Sequence, residues 1–302
     1  MGAIVQVKEA AVRPQKQPSA LMIIFRDQRS KIGIAIVFFL ILVALVGQWP
    51  IPYSINQTFV PLLPPSWHHL FGTTDQGQDV LSLFLNGAGS SLVTAFLAGG
   101  GAAALGTLLG VSSGFFGGWL DEAMQLITNV FLVIPALPLM VVLAAYLTFG
   151  GNLSIVLVII FTGWSWGARM LRAQAAALRK ATYVDAARIS GESTWGIIRR
   201  EILANMWSLV FANFLSSVIF AVITAASLQF LGLGNINSNS WGTMLYWAQN
   251  DGAISTGAWW WFVIPGLGIA LFSVGLTLIN YGLDQISNTS LQIGRKSIHG
   301  RK

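Results

Sequence analysis

The sequence predicts an all-α polytopic membrane protein with six transmembrane helices. Three observations carry this. Hydrophobic residues make up 54% of the 302 and charged residues only 9%, with mean hydropathy +0.67; a soluble domain carries about 25% charged residues. Apolar runs of membrane length recur along the chain between short polar stretches. The 17 Lys and Arg are sorted: six lie before position 32, seven between Arg169 and Arg200, and four from Arg295 onward, while 50–89, 147–152 and 232–258 hold none. With six spans these two sets of segments alternate sides, and the positive-inside rule then places both termini and 169–200 in the cytoplasm. The net charge of +6 could otherwise suggest nucleic acid. Charge collected by side in three separate segments makes no groove-tracking patch, so no nucleic-acid partner is expected. Without cysteine there is no disulfide framework, cysteine metal site or thiol nucleophile.

Taken in order, 1–31 is a polar cytoplasmic segment without a convincing signal-peptide cleavage site. Within it Ala20–Arg29 has the pattern of an interfacial helix, with Leu21, Met22, Ile24 and Phe25 towards lipid, and a disordered tail is the equal alternative. Residues 32–49 form the first span, with Lys31 and Trp49 at its interfaces. Residues 50–89 are an irregular extracytoplasmic segment marked by prolines 50, 52, 61, 64 and 65. A core over 90–285 holds the remaining spans. Ser90–Gly114 is rich in Gly and Ala, which permits close helix contact. A Gly114–Gly118 turn leads to Asp121 and Glu122, carboxylates that suit a helix N-terminus. Met124–Tyr146 is expected to kink at Pro135 and Pro138. Leu153–Trp166 crosses next, and its helix runs on to Arg172. Trp207–Leu231 is the fifth span and Phe262–Leu283, containing Pro265, the sixth; between them Trp259–Trp261 fit an interfacial aromatic belt. A basic cytoplasmic tail, 286–302, closes the chain.

The polar island at 183–205 interrupts this pattern. Asp185-Ala186-Ala187 offers a short helix with a small-residue face, and Gly191 suits a helix stop because glycine tolerates φ > 0. Ser193 or Thr194 can cap a second helix whose apolar positions are Trp195, Ile197, Ile198 and Ile202. The expectation is a helix–turn–helix under the membrane. The island resembles the EAA loop of ABC-importer membrane subunits, with Ala204 where a proline is usual. Two further runs are similar to the dipeptide/oligopeptide/nickel class of that family: Gly72–Ser82, with Gln78 where arginine is usual, and Leu231-Gly232-Leu233-Gly234 followed by Trp241–Leu245.

The resemblance implies a type I importer fold and a C-type permease subunit of a bacterial or archaeal cell (inner) membrane. Its implied partners are a B-type permease, two ATP-binding subunits and an extracytoplasmic solute-binding protein. ATP and Mg would sit on the ATPase subunits, and this chain would bind no cofactor itself. It further implies that Tyr183, Asp185, Ala186, Ala187, Gly191 and Glu192 are the coupling contacts, and that transport proceeds by alternating access. Di- and oligopeptides are the expected solutes, with oligosaccharides or nickel as alternatives.

The residues themselves show no catalytic constellation and no phosphate-binding Gly-x-x-x-x-Gly-Lys-Ser/Thr loop. His68-His69 lacks a clear third ligand, so a surface or contact role outweighs metal binding. The spans hold no confidently central ionisable residue, which weighs against an ion-coupled secondary transporter, the alternative of a different class. A membrane scaffold without transport is the third class. Asn129, Ser216, Thr224 and Gln229 are candidates to line a solute path, against the blander use of interhelical hydrogen bonding. Trp241 and Trp247, in the outer segment, are candidates to face a delivered ligand or its carrier protein.

Overall fold

A computed structural model describes residues 27–47, 49, 52–147 and 151–299, with 284–299 described by backbone alone. The interfacial helix expected at Ala20–Arg29 lies almost wholly outside the described residues. The first span is α1 (Gln28–Val46), capped by Asp27, whose carboxylate accepts from the Ser30 N–H at 3.3 Å.

Helix α2 (Val80–Phe116) is longer than the expected 90–114 span. Its 37 residues extend about 55 Å, well beyond a hydrocarbon core of about 30 Å. The extra length begins at Asp79, an N-cap that accepts from the Ser82 N–H at 2.8 Å. Along α2, Gly106, Gly110 and Gly114 recur every four residues and face α5 (Asn152–Leu178). A Cβ on any of them would lie within 2.8 Å of the α5 backbone oxygens of Trp164, Ala168 or Arg172, so the two helices meet backbone to backbone. Helix α5 itself runs past Arg172 to Leu178.

Between them the chain forms α3 (Gly118–Val133) and α4 (Ala136–Tyr146), bent by 91° at the break. The kink expected here is thus a right angle. Ile134 precedes Pro135, and the proline ring forces it out of the helical region to φ −69°, ψ 129°. Pro138 falls in the first turn of α4, where its missing N–H breaks no helical bond.

After α5 come the short helices α6 (Thr182–Ile189) and α7 (Thr194–Ile197), the latter running into a π-helical turn, Ile198–Leu203. Then follow α8 (Trp207–Phe230), α9 (Trp241–Asn250) and α10 (Trp259–His299). Among the described residues, five helices are long and apolar enough to cross a membrane, and the bent α3–α4 pair can supply a sixth crossing. The largest apolar core joins α1, α2, α8 and α10, with Leu40, Leu92, Val218 and Phe272 at its centre.

Residues 52–79 and 231–258 fold together into a cap at one end of the bundle. Its fixings are polar and buried. His69 Nδ1 meets Asp79 Oδ2 at 2.9 Å, inside a cage of Tyr53 and Phe59 rings. Asn239 donates to the Leu83 carbonyl and to Asn86 Oδ1 on α2, both at 3.0 Å. The aromatic-belt expectation for Trp259–Trp261 needs correction. Only Trp259 is exposed; Trp260 and Trp261 are buried, and Trp260 Nε1 donates to the Thr73 carbonyl at 3.2 Å. They hold the cap onto α10, because the 52–79 segment folds back over them.

Candidate functional site

At the end of the bundle opposite the cap, α6, α7 and the π-helical turn form one unit. Helix α6 is stopped by a Schellman arrangement: the Glu192 N–H donates to the Ala187 carbonyl at 3.1 Å and the Gly191 N–H to the Arg188 carbonyl at 3.0 Å. Gly191 takes φ +77°, where a side chain is strained. Ser193 then caps α7, accepting from the Gly196 N–H at 3.1 Å. The expected exit at Ala204 stays helical without a proline; the direction changes at Met206, φ −114°.

The unit has two unlike faces. Val184, Ile197, Ile198, Ile202 and Met206 are buried against Val111 and Phe115 of α2 and Leu171 and Ala175 of α5. The other face is open: Ile189 is 87% exposed, Trp195 66% and Tyr183 39%. Asp185, Ala186 and Gly191 are exposed with them, while Ala187 and Glu192 are half-buried. The six residues picked as coupling contacts thus form one neighbourhood around the α6 stop.

Its charges are locally paired. Asp185 meets Arg188 at 3.3 Å, Glu192 meets Arg200 at 3.0 Å, and the Arg188 guanidinium lies 5.8 Å from the centre of the Phe115 ring. Burial, and then the negative charge of Glu201, pushes the Tyr183 hydroxyl above its ordinary 10.0, so it stays protonated and able to donate at neutral pH. Arg172 of α5 holds Asp121 of α3 through paired guanidinium bonds, Nε to Oδ1 at 2.8 Å; Ser113 and Gln125 also donate to that carboxylate. This knot ties the start of the broken α3–α4 pair to α5, the helix that leads into the exposed unit.

On the side of the bundle a cleft of about 530 Å³ opens at the α3–α4 break. It is walled by Pro135, by Thr162, Ser165 and Trp166 of α5, and by Asn213, Ser216 and Phe220 of α8. Asn213 is 3% exposed and its Nδ2 has no partner. Gly167 makes room for it, since a Cβ there would sit 2.4 Å from Asn213 Oδ1.

Of the four solute-path candidates, Ser216 lines this cleft and accepts from Asn280 Nδ2 at 3.1 Å. Asn129 lies elsewhere, on the exposed face of α3, beside a pocket of about 210 Å³ that it shares with Arg169 and Arg172. Thr224 is buried between helices, with 7% exposure. Gln229 is a correction: it is buried, accepts from Ser240 Oγ at 2.9 Å, and faces Asn152 Oδ1 at 3.4 Å. It bolts α8 to the cap and does not line the cleft. Sequence reasoning missed Asn213, Thr162 and Ser165. The spacing Asn213, Ser216, Phe220 on one helix face, opposite a proline break, was the available signal.

Trp241 is also a correction. It has 0% exposure, stacks on Phe84 with ring centres 5.2 Å apart, and donates Nε1 to the Phe84 carbonyl at 3.1 Å. It holds α9 to α2 and faces nothing outside. Trp247 is half-buried and lines a pocket in the cap.

Comparison with known proteins gives a consistent picture. Residues 106–289 match the family model described as binding-protein-dependent transport system inner membrane component. The chain is 33% identical to the probable D,D-dipeptide transport system permease protein DdpC of Escherichia coli (strain K12), over 91% of this chain and 93% of that one. It is 31% identical to the dipeptide transport system permease protein DppC of Bacillus subtilis (strain 168), covering 88% and 83%. Identity to the glutathione transport system permease protein GsiD of Escherichia coli O6:K15:H31 is 34%, covering 86% of each.

Proposed function

The chain belongs to the family of inner-membrane components of binding-protein-dependent transport systems, and from that premise we propose that α6 and the turn behind it receive the stroke of an ATP-hydrolysing subunit. The protein is the permease subunit of a peptide-class ABC importer, a multi-pass inner-membrane protein that performs no hydrolysis itself. ATPase and binding-protein partners follow from the family; two ATPases with Mg-bound ATP and a B-type permease complete the proposed assembly.

The observation that carries the reading is the pairing of faces on the α6–α7 unit. One face is apolar and clamped onto the ends of α2 and α5. The other offers Tyr183, Asp185 and Ala186 to whatever lies beneath. A push on the open face therefore displaces α2 and α5 as a body, because their glycine-lined contact leaves no soft layer between them. Through the Arg172–Asp121 knot the push reaches α3, whose break with α4 borders the cleft. Opening that cleft alternately to either side is the proposed transport step. It requires the α6 end, both termini and the basic residues to face the cytoplasm.

Di- and oligopeptides, including modified ones such as glutathione, are the proposed solutes. Outer tryptophans could serve an oligosaccharide as stacking platforms, but Trp241 is buried and offers none. A direct test uses the absence of native cysteine. In the assembled transporter, Ala186→Cys should form a crosslink with the ATPase subunit whose yield changes with ATP. A crosslink from Gln57→Cys in the cap, and none from position 186, would overturn the assignment.

A further inference from the structure

The cap encloses a pocket of about 270 Å³, the size of one amino-acid side chain and its neighbours, where residues from all its segments converge. Asp75 is its one ionisable lining residue; Asn56, Gln78 and Asn239 supply amides, and Trp247 and Trp261 supply indole walls. Two of these amides already donate to the protein. Asn239 spends its Nδ2 on the Leu83 carbonyl and Asn86, and Gln78 donates Nε2 to the Ile55 carbonyl at 3.1 Å. Their carbonyl oxygens remain for a ligand.

Among the described residues no cation is paired with this carboxylate. Residues 50–89 and 232–258 contain no Lys or Arg, and His69 is committed to Asp79. Asp75 Oδ1 is buried without a hydrogen-bond partner, as is Asp251 Oδ2 one turn beyond Trp247. Burial, and then the charge of Asp251, pushes the Asp75 carboxyl above its ordinary 3.8; burial pushes Asp251 the same way. Asp75 is half-buried and backbone N–H groups of Asp75 and Gln76 reach its carboxylate, yet one oxygen is left buried and unpaired, which is costly, and a cation beside it offsets that cost.

We propose that this pocket binds the ammonium or guanidinium end of a small polar solute, with Asp75 as its counter-charge and Trp247 and Trp261 as its flanking π faces. Indoles attract such cations through the ring quadrupole, and the acceptor amides complete the shell. The inference rests on the proposed function only for the side of the membrane on which the pocket opens. It makes the cap a reception site for positively charged solute ends ahead of the cleft.

The test uses the full chain in lipid nanodiscs, without ATPase or binding protein, and arginine methyl ester as probe. Citrulline methyl ester, the same shape without the charge, is the control. The ester should raise the thermal midpoint saturably, and the citrulline ester should not. Asp75→Asn should keep or raise the ligand-free midpoint, showing that it folds, while the half-saturating concentration rises about tenfold or more, equivalent to ~1.4 kcal/mol of lost binding. Trp247→Phe should weaken the response by a smaller factor. No response, an equal response to the citrulline ester, an undiminished response in Asp75→Asn, a response to Ca²⁺ in place of the ester, or one seen only with the binding protein present would each overturn the proposal. None of these outcomes bears on the crosslink at position 186, so the two readings fail separately.

Discussion

The two ends of the molecule are held by different forces. The cap is pinned by buried polar bonds: His69 to Asp79, Asn239 to α2, Gln229 to Ser240, Trp260 to Thr73. The α6–α7 unit is seated by apolar contact, and its ion pairs Asp185–Arg188 and Glu192–Arg200 lie at the surface, where such pairs contribute little. A buried polar network has one good geometry, whereas an apolar seat transmits a push without depending on any single bond. The difference teaches that substitutions in the cap should be felt as stability, and those on the open face of α6 as lost coupling with the fold intact.

The largest stability effect should come from the cap. Asp79→Ala removes both the partner of His69 and the N-cap of α2, and should cost about 3–5 kcal/mol, read as a fall in thermal midpoint and in membrane yield. A loss within that of a surface substitution would break the contrast. Ala186→Trp, on the exposed face, should leave stability within about 0.5 kcal/mol. It should nonetheless abolish solute-stimulated ATPase activity in the assembled transporter. Unfolding in this variant would show that α6 is seated differently. Gly191→Ala lies between the two, since it strains the φ +77° stop by about 1–2 kcal/mol and should reduce coupling in part.

The smallest effect is a pH slope. Asp75 and Asp251 carry folded pKa values raised above 3.8, so the folded cap holds protons that the unfolded chain has released. Stability from these two groups is therefore intact below the unfolded value and is lost as pH rises through the folded values, opposite to a salt-bridged carboxylate. Asp75→Asn should flatten that slope in a thermal-midpoint series from acidic to neutral pH. An unchanged slope would place its source elsewhere.

Much of this was legible in the residues. The spans follow from apolar run length, and Gly191 gives the α6 stop because the residue closing a Schellman turn takes φ > 0, which glycine adopts without strain. The 91° break was legible only as a kink: a proline dictates the conformation of Ile134, but the angle depends on what α3 and α4 lean against. Trp241, Trp260, Trp261 and Gln229 were misread for a common reason. Each carries a polar group on a side chain whose burial is set by a partner that the neighbouring residues do not reveal: Thr73 over Trp260, Phe84 against Trp241, Ser240 and Asn152 around Gln229. Asn213 was passed over because a buried polar residue in a span looks the same whether it bonds a neighbouring helix or faces a cleft.

Sidedness tests the whole account most directly. Arg188→Cys and Gln57→Cys, each in the otherwise cysteine-free chain, are exposed to a membrane-impermeant thiol reagent in intact cells and in inverted vesicles. The account predicts labelling of position 57 only from outside and of position 188 only from the cytoplasmic face. Labelling of position 188 in intact cells would put the α6 unit out of reach of any ATP-hydrolysing partner and contradict it.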